Sequence, residues 1–169
     1  MSARLEIPVP TDGDRLLFLR FSSLGDLLLA LRKAKALKTR FPCLYLTWLC
    51  QTEYEGLLRM QPYVDDVLSW DLNRGRLTVF SLIRRIRKMK FKFLYSVHPN
   101  DRSALISSLS GIPVKIGCHK NLQVCYGYSL KETAKAWGLS EPEDEEVILS
   151  VPDEHKRKIL AKLPAATEQ

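Results

Sequence analysis

"FLRFSSLGDLLLAL", residues 18–31, is where an apolar run turns into a helix. Leu16–Phe21 is short and continuously apolar apart from Arg20, the pattern of a buried strand. Over Gly25–Arg40 the spacing changes: Leu27, Leu28, Leu31, Ala34 and Leu37 fall against basic Arg32, Lys33, Lys35 and Lys38, which predicts an amphipathic helix. Between the two lie Ser22, Ser23, Gly25 and one carboxylate, Asp26. A strand running through a tight turn into a helix is the unit from which parallel sheets are assembled. The fold therefore depends on whether the unit recurs.

It recurs. After "FPC" breaks the helix, Leu44–Leu49 predicts a second strand, and "TEYEGLLRM" a short helix starting from a Thr52 cap. "VDDVLSWD" carries a third strand and Val79–Met89 a helix. Phe93–Val97 is a fourth strand, "DRSALISSLSG" a helix closed by Gly111, and Val114–Ile116 a short fifth strand. This order predicts an α/β class, a doubly wound, Rossmann-like parallel sheet covered on both faces. Ligands in such sheets sit beyond the carboxyl ends of the strands, near the switch point. Asp26 falls just past the first strand, His98, Asn100 and Arg102 just past the fourth, and Lys120 beyond the fifth.

The 169 residues suffice for one domain with a sizeable core. We divide them into a polar leader, residues 1–14, a Rossmann-like domain, 15–139, and a segment 140–169. That last segment opens with the acidic, linker-like "SEPEDEEV", and its "ILSVPDEHKRKILAKL" reads as the start of a further unit. The net charge of +7 fits an anionic partner. Cys43, Cys50, Cys118 and Cys125 are too widely spaced for zinc knuckles and are expected to be reduced and mostly buried. "MSARLEIPVPTDGD" lacks the core of a signal peptide, and no apolar run reaches the ~20 residues that cross a bilayer. We expect a cytoplasmic protein that would meet any membrane-borne molecule from the inner face.

The turn at Asp26 has no G-x-G-x-x-G and no phosphate-binding lysine. An acid at a helix N-terminus repels the phosphate that such a terminus attracts, so nucleotide binding on this loop is rejected. Ser23-Leu24-Gly25-Asp26 fits a capping box, which needs no function. A carboxylate there can equally take a proton from an attacking hydroxyl, and the two uses are compatible. His98 reads as either structural or catalytic. Arg102 opposes the dipole of the helix it opens, which hints at an anionic ligand unless Asp101 or Asp71 pairs with it.

Residues 74–92 hold eight Lys or Arg and no acid. Leu82, Ile83, Ile86 and Met89 should fix one face to the core and leave Arg84, Arg85, Arg87 and Lys88 outside. Such a face is either simply solvated or in contact with anionic lipid or phosphate. Aromatics are not interleaved as a base-stacking platform requires, so nucleic acid is not expected. The scattered His98, His119 and His155 give no metal-ligand spacing, and no serine-hydrolase elbow is present.

Several ordered blocks resemble the N-terminal half of the ADP-heptose:lipopolysaccharide heptosyltransferases, glycosyltransferase family nine. They are Arg20–Leu28 (R-x-S-S-L-G-D), Ala36–Leu49, Gln61–Val67 and His98–Gly117. The resemblance implies a GT-B fold with this chain as its N-terminal, acceptor-binding domain. It implies an inverting transfer of heptose or a related sugar from an ADP-sugar to a Kdo-lipid A type acceptor, with no bound cofactor or metal. By the same resemblance Asp26 is the general base, Ser22, Ser23 and Gly25 its loop, and Arg102 an acceptor-anion position. His98, Asn100 and Lys120 are further acceptor-binding candidates. The donor half is expected in a further domain, so this chain alone is expected to be inactive. Peripheral contact with the inner membrane is compatible with that reading. The alternative is a non-catalytic module that holds an anionic glycolipid or membrane surface through its basic helix. One departure stands out: Ser96-Val97-His98-Pro99 replaces the family's Asp-Leu-Gln-Gly, so that proline removes a backbone donor.

Overall fold

The computed structural model describes residues 6–71, 78–119 and 121–139. Five parallel strands lie in the order β3-β2-β1-β4-β5: β1 (Arg15–Leu19), β2 (Tyr45–Gln51), β3 (Asp66–Trp70), β4 (Phe93–Ser96) and β5 (Val114–Gly117). The helices are α1 (Leu24–Arg40), α2 (Glu55–Arg59), α3 (Thr78–Lys88), α4 (Asp101–Leu109) and α5 (Leu130–Trp137). The doubly wound sheet expected from the strand–helix alternation is what forms.

Period-two alternation assigns the faces. From β1, Leu16 and Phe18 join Trp48, Phe93, Tyr95 and Ile116 under α1 and α5. Leu17 and Leu19 face the other way and join Leu49, Leu68 and Leu94 under α3 and α4. Leu27, Leu31, Ala34 and Leu37 of α1 and Leu82, Ile83 and Ile86 of α3 are buried as their spacing predicts, whereas Ala30 joins the α1 stripe and the expected Leu28 and Met89 are only partly buried. The aromatic layer is tight, with ring centroids of Phe18 and Trp48 4.4 Å apart.

Two polar residues of the resembling blocks are spent on this frame. Asp65 accepts from Leu46 N at 2.7 Å and pairs with Lys38 Nζ at 3.0 Å, tying β2 to α1. Ser107 Oγ donates to Cys125 O at 2.8 Å and fastens α4 to the turn after β5. Gly117 is required by packing, because a Cβ there would lie 2.5 Å from Cε1 of Tyr126.

Four details differ from the sequence-based expectations. Gln51, not Thr52, caps the segment after β2, which starts as a 3-10 turn over Thr52–Tyr54 before the short α2. All four cysteines are free, but only Cys50 is buried, while Cys43 and Cys118 are exposed and Cys125 is intermediate. α5, which the apolar spacing does not reveal, packs Trp137 into the α1 face and ends at Gly138 in the left-handed region (φ +63°). The described part of the leader is attached: Trp137 Nε1 donates to Pro8 O at 3.1 Å, and Asp14 pairs with Lys92 at 2.8 Å. The segment 140–169 lies outside the described residues, and no helix among the described residues is long and apolar enough to cross a membrane.

Candidate functional site

β1 and β4 are neighbours, with Leu19 opposite Ser96. The chain leaves β1 toward β2 on one side and β4 pairs on the other, so the topological switch lies at their carboxyl ends. Backbone bonds carry the pairing past the strand ends: Val97 N donates to Leu19 O and Arg20 N to Leu49 O, both at 3.2 Å. The crevice is thus flanked by the β1–α1 turn and the β4–α4 turn.

In the β1–α1 turn the Ser22–Ser23 peptide is cis. Asp26, on the first turn of α1, accepts from Ser23 N at 3.3 Å and from Ser23 Oγ at 3.1 Å. Both bonds go to Oδ2, and the Arg20 guanidinium makes an ion pair with the same oxygen. Ser23's backbone and side-chain hydrogen bonds, then Arg20's, hold the carboxyl below the usual range, so it is ionised at neutral pH. Every described contact of Asp26 uses Oδ2, on a side chain that is 48% exposed, and Oδ1 has no contact among the described residues. The capping expectation is met, and it leaves one oxygen for another task.

Arg20 is the residue that spacing alone did not single out. Its side chain is only 13% exposed, and Nη1 donates to Val97 O at 2.7 Å, so one guanidinium joins the two turns. An arginine at the end of an apolar strand was the available signal, because a buried charge needs partners. Arg20 Nε and His98 Nδ1 are both buried without a hydrogen-bond partner among the described residues.

The β4–α4 turn is built differently. Asn100 caps α4, accepting from Ser103 N at 2.9 Å, and Ser103 Oγ accepts in return from Asn100 N at 3.3 Å. Ser103 Oγ also reaches the His98 carbonyl and the Asn100 carbonyl, the latter at 2.7 Å. Tyr126 Oη adds 3.3 Å and 3.4 Å contacts to the Ser96 and Ser103 hydroxyls. The His98 ring meets Phe21 edge-on, with centroids 5.6 Å apart, and Phe21 meets Trp70 likewise at 5.6 Å. Burial, with the nearby Arg20 charge, pushes the His98 imidazole down to about 4, so it is neutral at pH 7.

The structure brings Asp26, Ser22, Ser23, Gly25 and His98 to this crevice, and Arg102 is close enough to act electrostatically on His98. Arg102 is exposed and forms no ion pair among the described residues, while Asp101 is taken by His119 Nε2 at 3.1 Å. Asn100 is engaged as a cap, and Lys120 lies outside the described residues. Gly25 is informative: its φ is not positive, and a Cβ there would meet nothing within 4 Å. The fold makes no demand for glycine at that position. Among the described residues no cluster of His, Cys, Asp and Glu could hold a metal ion.

No protein-family model and no curated protein sequence matches the chain. Solved structures do match its fold. A glycosyl transferase family 9 protein from Veillonella parvula superposes with TM-score 0.75 at 14% identity, over 96% of this chain and 52% of that one. The E. coli heptosyltransferase WaaC, solved with ADP, gives TM-score 0.65 at 16% identity over 78% of this chain and 49% of its own. E. coli ADP-heptose lps heptosyltransferase II gives 0.63 at 17% identity over 89% and 51%. The chain therefore has the Rossmann-like fold found within GT-B glycosyltransferases of the heptosyltransferase type, and it spans about half the length of the structures it matches.

Proposed function

We propose that this chain is the acceptor-binding half of an inverting glycosyltransferase, with Asp26 as general base. The observation that carries the reading is the division of labour on one half-exposed carboxylate at the switch point: Oδ2 is tied down by Ser23 and Arg20, and Oδ1 has no contact among the described residues. A base so held keeps its orientation while its free oxygen receives a proton. In the proposed reaction an acceptor hydroxyl gives its proton to Asp26 Oδ1. Its oxygen attacks the anomeric carbon from the face opposite the leaving group, and the carbon–oxygen bond to ADP breaks with its electron pair going to the nucleotide. The anomeric centre inverts. A carboxylate held below the usual range is a weaker base, but it is ionised in every turnover at neutral pH. Much of the proton's transfer then accompanies bond formation, when the attacking hydroxyl becomes acidic.

The acceptor would lie against Asp26, with Arg102 toward its anionic groups. Its class, from the resemblance and in keeping with the heptosyltransferases among the structural neighbours, is a Kdo-lipid A type acceptor of the lipopolysaccharide inner core. The donor is ADP-heptose or a related ADP-sugar held by a second domain. Work at the inner face of the cytoplasmic membrane follows from such an acceptor.

Calorimetric titration of this chain with a soluble Kdo-containing acceptor and, separately, with ADP tests the assignment. Acceptor binding that weakens in Arg102→Gln, with no binding of ADP, is the expected result. Tight ADP binding without acceptor binding would overturn it.

A further inference from the structure

α3 has two faces, and the fold accounts for one. Leu82 and Ile86 are buried in the sheet, at 2% and 0% exposure. Phe80, Arg84 and Lys88 recur every fourth residue along the outer side, and Phe80 is 65% exposed. With Ile83, Arg87 and Leu109 of α4 they line a shallow groove of about 500 Å³. Its shape is fixed by Arg87, whose Nε and Nη2 clasp Leu109 O at 3.0 Å and 2.7 Å. Arg84 and Lys88 form no ion pair among the described residues, and neither α3 nor the groove lining contains an acid. Arg85 is different, because its charge acts on Glu55 toward the other side of the helix.

We propose that this face of α3 docks on a bilayer containing anionic phospholipid, with Phe80 entering the acyl boundary and Arg84 and Lys88 meeting headgroup phosphates. The argument is charge complementarity combined with an apolar floor. A cationic stripe alone suits any polyanion, but an exposed phenylalanine on the same stripe, over Ile83 and Leu109, suits a surface whose interior is hydrocarbon. Stacking on nucleic-acid bases is less well served, since Phe80 is the sole aromatic lining the groove. A helix lying flat on the membrane also sets the strands parallel to it. The carboxyl-edge crevice then opens sideways along the surface, within reach of a lipid-anchored molecule. The docking itself stands independently of any role for Asp26.

The test is flotation of the full chain with vesicles of phosphatidylcholine alone or mixed with phosphatidylglycerol. Salt-sensitive binding to the mixed vesicles only is expected. Arg84→Gln with Lys88→Gln should lower the partition coefficient about 30-fold, each cation near an anionic surface contributing about fivefold. Phe80→Ser should lower it about tenfold, a part of what burying a whole phenylalanine contributes. Lys131→Gln with Lys135→Gln removes the same charge from exposed positions on α5, across the sheet, and should leave binding within about twofold of the parent. All these positions are exposed, and unchanged circular dichroism would confirm that the variants fold. Equal loss from the α5 pair would reduce the effect to net charge and overturn the proposal. So would vesicle binding that survives the α3 changes. Sedimentation as a dimer that Phe80→Ser dissociates, or single-stranded RNA binding lost with Arg84 and Lys88 while vesicles are ignored, would assign the face to a different occupant.

Discussion

The two turns that flank the switch point occupy equivalent places in the fold and are organised in opposite ways. The β4–α4 turn consumes its polar groups internally: Asn100 and Ser103 satisfy each other, and the His98 carbonyl and Tyr126 hydroxyl close the network. The β1–α1 turn gathers its donors onto one oxygen of one carboxylate and leaves the other without a contact among the described residues. The first arrangement yields rigidity, because its amide, hydroxyls and carbonyls bond to one another, with only the His98 ring nitrogen Nδ1 left without a partner among the described residues. The second yields an oriented, charged atom at the surface of a rigid support. Arg20 connects them, fixed by the Val97 carbonyl in one turn and by Asp26 in the other. The comparison implies that changes in the β4–α4 turn should register mainly in stability, and changes in the β1–α1 turn mainly in chemistry.

The largest expected effect is on chemistry. In a two-domain form, Asp26→Asn should lower kcat by about 10³-fold, within the range for removing a positioned base, with the thermal midpoint almost unchanged. Asparagine preserves the shape and can still accept from Ser23, so the fold loses little. Retention of activity in a steady-state assay would break the contrast at its strongest point.

On the other side, Ser103→Ala should destabilise the chain by about 2 kcal/mol, read as a shift of the urea midpoint, because it leaves the buried partners of Ser103 Oγ unmet. Asp26→Ala should shift that midpoint by much less. If the two midpoints move equally, the turns are not specialised as described.

His98 supplies the pH dependence. Its folded-state value is depressed to about 4 from an ordinary 6.5, so the unfolded chain takes up the proton first as pH falls. Stability is fully present above about 6.5 and declines through the window down to about 4. The effect is on the order of 1 kcal/mol after allowing for water around the partly buried ring. His98→Phe should flatten the profile between those limits. Asp26 acts in a lower window, since its depressed carboxyl gives up its contribution only as pH falls below the ordinary carboxylate range.

The fold was legible in the sequence because its signals are local: apolar runs broken by turns, and helical spacing on α1 and α3, set the strand and helix order directly. α5 escaped because only Thr133 and Trp137 of its eight residues are buried, too few to establish a period, although Ser129 and Gly138 mark its ends. The site was half legible. Asp26 showed itself as an acid in an unusual place, and Ser23 as its cap. Arg20 did not, because what buries it is a carbonyl 77 residues away, and the sequence does not display that distance until the sheet is formed. Asn100 was readable as part of the crevice, but its use as a cap depended on seeing Ser103 bond back to it. For the same reason, Asp65 in its Pro-Tyr-Val-Asp setting resembled a family signature and proved to be a fastening for β2.

The smallest structural effect gives the sharpest separation. Gly25 sits in the first turn of α1 with φ outside the left-handed region and open space where a Cβ would stand. By helix propensity alone Gly25→Ala should stabilise the chain, by up to about 0.5 kcal/mol so close to the terminus. If glycine is there for the fold, the melting temperature must fall; if it is there so that an acceptor can approach the Asp26 loop, the melting temperature holds or rises while acceptor affinity drops. The expected result is the second, with a several-fold weaker calorimetric Kd and no loss of stability. A lower melting temperature with unchanged affinity would return the whole β1–α1 turn to the frame and remove the chemical half of the comparison.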